Sequence, residues 1–154
     1  MARLDVGSLA PPFTLVNQDG EDIALSDFAG RRLLLYFYPA DDTPGCTTQA
    51  CQFNDELAHF NGVGVDVVGV SPDATAAHVA FRKKFSLTFD LLSDPDKEVM
   101  ARYGAYGEKM LYGKKVVGVI RSTFVIGPTG RVEHAWYGVR TNGHAARVLA
   151  SLRP

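Results

Sequence analysis

The sequence predicts a single α/β domain: a mixed central sheet flanked by helices, with an N-terminal β-hairpin as an extension. Three observations carry this. Two nearly unbroken apolar runs, "RRLLLYFY" and "VGVDVVGVS", have the composition of strands buried on both faces. Segments of helical periodicity follow each of them, so strands and helices alternate as in βαβ units with right-handed crossovers. Turn signals at Asp19-Gly20 and at Pro128-Thr129-Gly130 each lie between extended segments and add antiparallel hairpins at the two ends of the chain. A chain of 154 residues suits one such domain. At that length roughly 70% of the unfolded surface is buried, and the core needs no covalent staple.

Taken in order, "FTLVNQDGEDIAL" reads as two short strands around Gln18-Asp19-Gly20, and "SDFAG" as one helical turn capped by Ser26. "RRLLLYFY" is the first buried strand. From about Thr48 to His59, Phe53, Leu57 and Phe60 recur at helical spacing. "VGVDVVGVS" is the second buried strand. "DATAAHVAFRKKF" is a helix capped by Asp73 that turns Val79, Phe81 and Phe85 toward the core. "TFDLLSD" is short and extended, and "DKEVMARYG" is a helix closed by Gly104. "VVGVIRSTFVIG" and "RVEHAWYG" form a hairpin, and "NGHAARVLASLR" is the closing helix. This order is the layout of a thioredoxin-like domain carrying an N-terminal extension.

Composition narrows the function. Apolar residues make up 46% and charged residues 21%, with a formal net charge of −1. The charges are interspersed, so there is no basic stripe for a nucleic-acid backbone. The N-terminal "MARLDVGSLAPPF" lacks the apolar core of a signal peptide, and "LLLYFYPA" is too short to span a bilayer. A cytoplasmic location is expected. In that reducing compartment, cysteines are reactive or metal-binding more often than structural.

The chain has two cysteines, both in "YPADDTPGCTTQAC". Zinc asks for about four ligands; His59, His78, His134 and His144 are scattered, and no metal is expected. A cysteine protease needs a histidine base, which nothing in the sequence places beside Cys46. Dithiol reductases space their pair with two intervening residues, against four here. Cys46 lies in the strand-to-helix loop and first helical turn, after Thr43-Pro44-Gly45. The open N–H groups and dipole of such a turn favour an anion, and hence a thiolate. The plain alternative is a buried cysteine that only fills space.

"YFYPADDTPGCTTQAC" resembles the peroxidatic motif of peroxiredoxins of the bacterioferritin-comigratory or PrxQ type, through the spaced set Pro39, Thr43 and Cys46. The resemblance extends through "FTLVNQDGEDIALSDFAG", "VVGVSPD", "LLSDPDKEVMARYGAYGEKMLYGKK" and "IRSTFVIGPTGRVEHAW". It departs at Asn54, where arginine is usual, and at Ala40, where lysine is common. The resemblance implies a thiol peroxidase that reduces hydrogen peroxide and organic hydroperoxides without a cofactor. Cys46 is then the peroxidatic nucleophile and Cys51 the resolving residue, joined to it by an intramolecular disulfide that thioredoxin or a glutaredoxin-like protein reduces. Arg121 is the active-site arginine, a fixed positive charge and hydrogen-bond donor beside the sulfur. Thr43 is a hydroxyl facing peroxide and thiolate.

Around these, Pro39 is expected to shield the sulfur, Pro39 and Pro44 to restrict the loop and Gly45 to permit close approach, with Phe37, Pro39, Pro44 and Phe124 lining an apolar substrate pocket. Gln49, one turn after Cys46, either bonds the arginine or faces solvent. On a regular helix, five residues rise ~7.5 Å and turn ~500°, which sets the two cysteine Cα atoms roughly 8.7 Å apart. A disulfide needs about 4.4–6.8 Å, so the pair cannot close while the helix is intact. Unwinding is expected, at a cost held down by Thr47, Thr48 and Asn54 and by a water-facing Gln52. The competing readings are a thioredoxin-fold disulfide reductase or isomerase and a non-enzymatic binding module with inert thiols. With no long apolar stripe on the surface, a monomer is expected.

Overall fold

The structure, a computed structural model, describes residues 3–152. A seven-stranded mixed sheet has the order β2-β1-β5-β4-β3-β8-β9. Its parallel centre is β3 (Arg32–Phe37), β4 (Val65–Ser71) and β5 (Asp90–Ser93). β3 and β4 are the two apolar runs, and their side chains are buried almost without interruption because helices or loops cover both faces. β8 (Ser122–Ile126) runs antiparallel to β3, and β9 (Val132–Tyr137) antiparallel to β8. The N-terminal hairpin, β1 (Thr14–Val16) and β2 (Asp22–Ala24), extends the other edge through Val16 opposite Ser93. Asn17 shapes its turn, its Oδ1 accepting from Asp19 N and Glu21 N at 3.0 Å each, and Gly20 takes φ +75°.

Alternation along β3 divides the core. Leu34, Tyr36 and Tyr38 point to one face, under α1 (Pro44–Asp55), α2 (Leu57–Gly62), α3 (Thr75–Phe85) and α5 (His144–Leu152). Leu33, Leu35 and Phe37 point to the other, against Val99 and Met100 of α4 (Glu98–Arg102) and the N-terminal Ala10 and Phe13. Each fully buried Leu or Phe of this kind contributes about 1.5–3 kcal/mol. α4 ends as the sequence predicts: Gly104 at φ +74° donates to Ala101 O, and Ala105 donates to Met100 O at 2.8 Å, a Schellman close.

Several local expectations are corrected. Ser26 lies inside a 3-10 turn, Leu25–Phe28; the cap is Asp27, whose carboxylate accepts from Ala24 N at 2.9 Å. The helix after β3 starts earlier, at Pro44, and breaks at Glu56 into α1 and α2. Asp73 does not cap α3; its carboxylate accepts instead from Asp41 N and Ser71 Oγ. Val79 is 46% exposed, and His78 takes the inward place with Phe81. The long run "VVGVIRSTFVIG" is two strands rather than one. β7 (Lys114–Val119) pairs only with β6 (Tyr106–Leu111), in a ribbon separate from the main sheet. Tyr112 (φ +51°) and Gly113 (φ +78°) make its two-residue turn of the primed kind. The ribbon presents Met110, Leu111, Tyr112 and Val117 to solvent, so the surface does carry an apolar patch.

Candidate active site

β3 ends in the middle of the sheet, and the chain crosses its end through Pro39–Thr43 before entering α1. Pro44 occupies the first helical turn, where its missing N–H costs nothing. Thr47 N is bonded back to Thr43 O at 2.8 Å, which leaves the N–H groups of Gly45 and Cys46 without intrahelical acceptors. Cys46 therefore sits where the peptide dipoles favour negative charge, and it is 1% exposed.

Arg121 enters from the short link between β7 and β8. Its Nη2 donates to Cys46 Sγ at 3.4 Å and its Nη1 to Gln49 Oε1 at 2.7 Å. Gln49 is itself buried, so the solvent-facing reading of it is wrong; it is the neutral acceptor that fixes the guanidinium. No carboxylate lies within ion-pair distance of Arg121 among the described residues, so its positive charge stays available to the sulfur. Gly45 adjoins the same group: a Cβ there would lie 3.4 Å from Arg121 Nη2, in bare contact.

The loop is held from behind. Thr43 Oγ1 donates to Ala40 O at 3.1 Å, so its proton is engaged by the backbone rather than aimed at the thiolate, and the oxygen keeps its capacity to accept. Asp42 adopts φ +58°, and its carboxylate pairs with Lys84 of α3 at 2.8 Å. Pro39 is half-buried and Pro44 exposed. Phe37 and Phe124 are not brought to Cys46. Their rings lie 5.9 Å apart in the core on the opposite face of the sheet, whereas Cys46 packs with Tyr36, Tyr38, Ala50 and Phe53. Strand alternation explains this, since Phe37 must face away from its neighbours Tyr36 and Tyr38.

Cys51 is half-buried on the same helix as Cys46, and both thiols are free. Burial, and secondarily Asp55 one turn on, pushes the Cys51 thiol up from its ordinary value. Sequence reading missed the group behind the loop, Asp41 with Tyr38 and His78. Only the inward place of His78 was signalled: spacing of three and seven back from Phe81 and Phe85 selects His78, not Val79, for the inner face of α3. No three His, Cys, Asp or Glu side chains among the described residues are grouped to hold a metal ion. No helix among them is long and apolar enough to cross a membrane.

Comparison with known proteins agrees with this geometry. Residues 6–135 match the model of the AhpC/TSA family. A Mycobacterium tuberculosis protein named as a peroxiredoxin is 52% identical over 150 residues, covering 97% of this chain and 96% of that one. Peroxiredoxin Bcp of Escherichia coli is 42% identical over 153 residues, covering 99% and 98%. Among solved structures, a mutant of Xylella fastidiosa PrxQ superposes with a TM-score of 0.91 at 36% identity, covering 99% of this chain and 97% of that one. Xanthomonas campestris peroxiredoxin Q gives 0.86 at 41% identity, covering 91% and 89%. With the motif, the arginine and the fold in agreement over nearly its whole length, the chain belongs to the AhpC/TSA family, among the peroxiredoxins of the Bcp and PrxQ type.

Proposed function

We propose that Cys46 is the peroxidatic residue of this peroxiredoxin, Cys51 its resolving residue, and a dithiol protein of the thioredoxin or glutaredoxin type its reductant. The chain is a thiol peroxidase. The thiolate of Cys46 attacks one peroxide oxygen, the O–O bond breaks, and the other oxygen leaves and takes a proton to become water or an alcohol. Arg121 meets the negative charge that moves from sulfur to oxygen, and Thr43 accepts from the peroxide hydroxyl. Cys46 is left as a sulfenic acid. The Cys51 sulfur then displaces its oxygen as water, forming a disulfide that the external dithiol reduces while becoming a disulfide itself.

The observation that carries this is Arg121, held by Gln49 with its second nitrogen 3.4 Å from the Cys46 sulfur. A disulfide reductase or isomerase has no need of that charge, and its two thiols must close without disrupting their helix. Stopped-flow peroxide titration with thioredoxin and its reductase tests the reading. Turnover is expected in the native chain and none in Cys46→Ser; peroxide reduction surviving in that variant would remove the mechanism. Insulin-disulfide reduction faster than peroxide reduction would favour the alternative.

One of the solved neighbours, the bacterioferritin comigratory protein of Xanthomonas campestris, is described by its alkyl peroxide reduction activity. Small organic hydroperoxides are accordingly substrates here beside hydrogen peroxide, and a rate with hydrogen peroxide alone would limit the claim. The reaction requires a compartment that supplies a reduced dithiol, and we assign it to the cytoplasm. The expected state is a monomer, because the apolar side chains of the ribbon are interspersed with Lys109, Lys114 and Lys115. Light scattering that gives the mass of one chain checks this.

A further inference from the structure

Behind the active-site loop lies a buried polar group that the peroxidase reaction does not use. The His78 side chain is 0% exposed and that of Asp41 5%. His78 Nε2 is 2.9 Å from the carbonyl oxygen of Leu92, and its Nδ1 is 2.6 Å from Asp41 Oδ2. A carbonyl oxygen can only accept, so Nε2 carries a proton. Nδ1 and a carboxylate oxygen cannot stand at 2.6 Å with two lone pairs facing. A second proton lies between them. Asp41 already accepts a hydrogen bond from Tyr38 OH on its other oxygen, which favours the carboxylate, so that proton rests on His78 and the pair is imidazolium and carboxylate. The other oxygen of Asp41 accepts from Tyr38 OH at 2.5 Å, and burial pushes that phenol well above its ordinary value, which keeps it a donor.

We infer that His78 and Asp41 form a singly protonated, net-neutral buried pair that positions the loop carrying Thr43 and Cys46 and prevents the Asp41 charge from opposing the thiolate. Asp41 begins the two-residue link to Thr43, and its partner Tyr38 packs in the same core cluster as Cys46. With the proton lost, a bare carboxylate would remain buried in the loop that leads to Cys46, and like charges disfavour each other. The groups facing the pair are Tyr38 from the end of β3, Asp73 from the β4–α3 link through Asp41 N, and the Leu92 carbonyl from β5. Lys84 of α3 with its partner Asp42 lies beyond them. None of these supplies a cation to replace His78 at Asp41. The functional half of the inference rests on Cys46 as the attacking thiol; the protonation half does not.

Two measurements separate the halves. In ring-nitrogen correlation spectra of the reduced protein, both His78 nitrogens are expected to carry protons. In Asp41→Asn the side-chain amide can itself donate, and Nδ1 is expected to be proton-free. A proton-free Nδ1 in the native chain, or a protonated one in the variant, would overturn the pair. In the second measurement, His78→Leu leaves Asp41 uncompensated and is expected to slow the reaction of Cys46 with peroxide by at least about tenfold. Adding Asp41→Asn to His78→Leu should recover most of that rate. A double variant as slow as His78→Leu would show that His78 only fills space. If His78→Leu does not fold while the double variant does, the uncompensated charge is demonstrated in stability instead, and failure of both to fold would assign His78 to packing.

Discussion

Arg121 holds two acceptors at once, Gln49 Oε1 at 2.7 Å and Cys46 Sγ at 3.4 Å, and only a planar fork does this without strain. Removing a donor aimed at developing negative charge costs about 2.7–4 kcal/mol, so Arg121→Ala should slow the peroxide step about 10²- to 10³-fold. Arg121→Lys should recover only part of the loss, because an ammonium cannot span both partners in the same geometry. Stopped-flow rates of sulfenic acid formation check this, and an alanine variant within a few-fold of the native rate would detach Arg121 from the chemistry. The approach of Arg121 to Cys46 was legible because a spaced motif and a distant arginine agree. The His78 and Asp41 pair was not. A histidine on an apolar helix face carries no local mark of the loop aspartate it meets, and that meeting is created only by the packing of α3 on the sheet.

Within α1 the same distinction applies to how the helix is held. Thr47 and Thr48 are weak helix formers, which sequence shows. What sequence does not show is how firmly side chains fasten the helix. Gln52 Nε2 donates to Asn142 Oδ1, and Gln52 Oε1 accepts from Gly143 N at 2.9 Å. Asn54 Nδ2 donates to Ser86 O, and its Oδ1 accepts from both Thr88 N and Thr88 Oγ1 at 3.0 Å. The expectation of a freely water-facing Gln52 and a merely weak Asn54 is thereby corrected: both are latches, to the β9–α5 and α3–β5 links. Burial, and secondarily Asp55, raises the Cys51 thiol from its ordinary value while the helix is intact, so unwinding brings Cys51 within reach and relieves that opposition to its thiolate. Each exposed hydrogen bond contributes about 0.5–1.5 kcal/mol. Asn54→Ala should therefore speed disulfide formation several-fold and make Cys46 less prone to overoxidation. Gln52→Ala should act in the same direction, less strongly. Amide exchange from Thr47 to Asn54 should be slow in the reduced chain and faster in the disulfide form. Identical protection in the two states would mean that Cys51 resolves without unwinding, or does not resolve at all.

At the scale of the molecule, the parallel centre was legible because its strands are buried on both faces and read as unbroken apolar runs. The β6–β7 ribbon was not, because only its base, Tyr106 and Val119, packs on the core while the rest meets no face that imposes alternation, and its turn places Tyr112, an uncommon residue for positive φ, beside Gly113. A further property depends on the assembled fold alone. His144 begins α5 on the sequence side of a glycine, yet in the structure it is buried, with Nε2 2.9 Å from Thr123 Oγ1 and its ring edge-on to Phe53 and Trp136. Burial, and then the Arg147 charge, lowers it from 6.5 to about 4. In the unfolded chain it takes up a proton near its ordinary value, while the folded chain refuses that proton until about pH 4. The unfolded state therefore binds more protons between those two values, and stability rises with pH across the window. His144 contributes its full stabilisation above about pH 6.5 and loses it progressively as pH falls to about 4, roughly 3 kcal/mol in all. Asp94 works the other way. Burial pushes its carboxyl up, so the folded chain binds the extra proton and acid relieves it. Urea unfolding of native and His144→Gln chains, compared at near-neutral pH and near pH 4.5, isolates the histidine because every other group is common to both. The native chain should lose the larger share of its unfolding free energy on acidification, and equal losses in the two chains would show that His144 gains its proton without opening the fold.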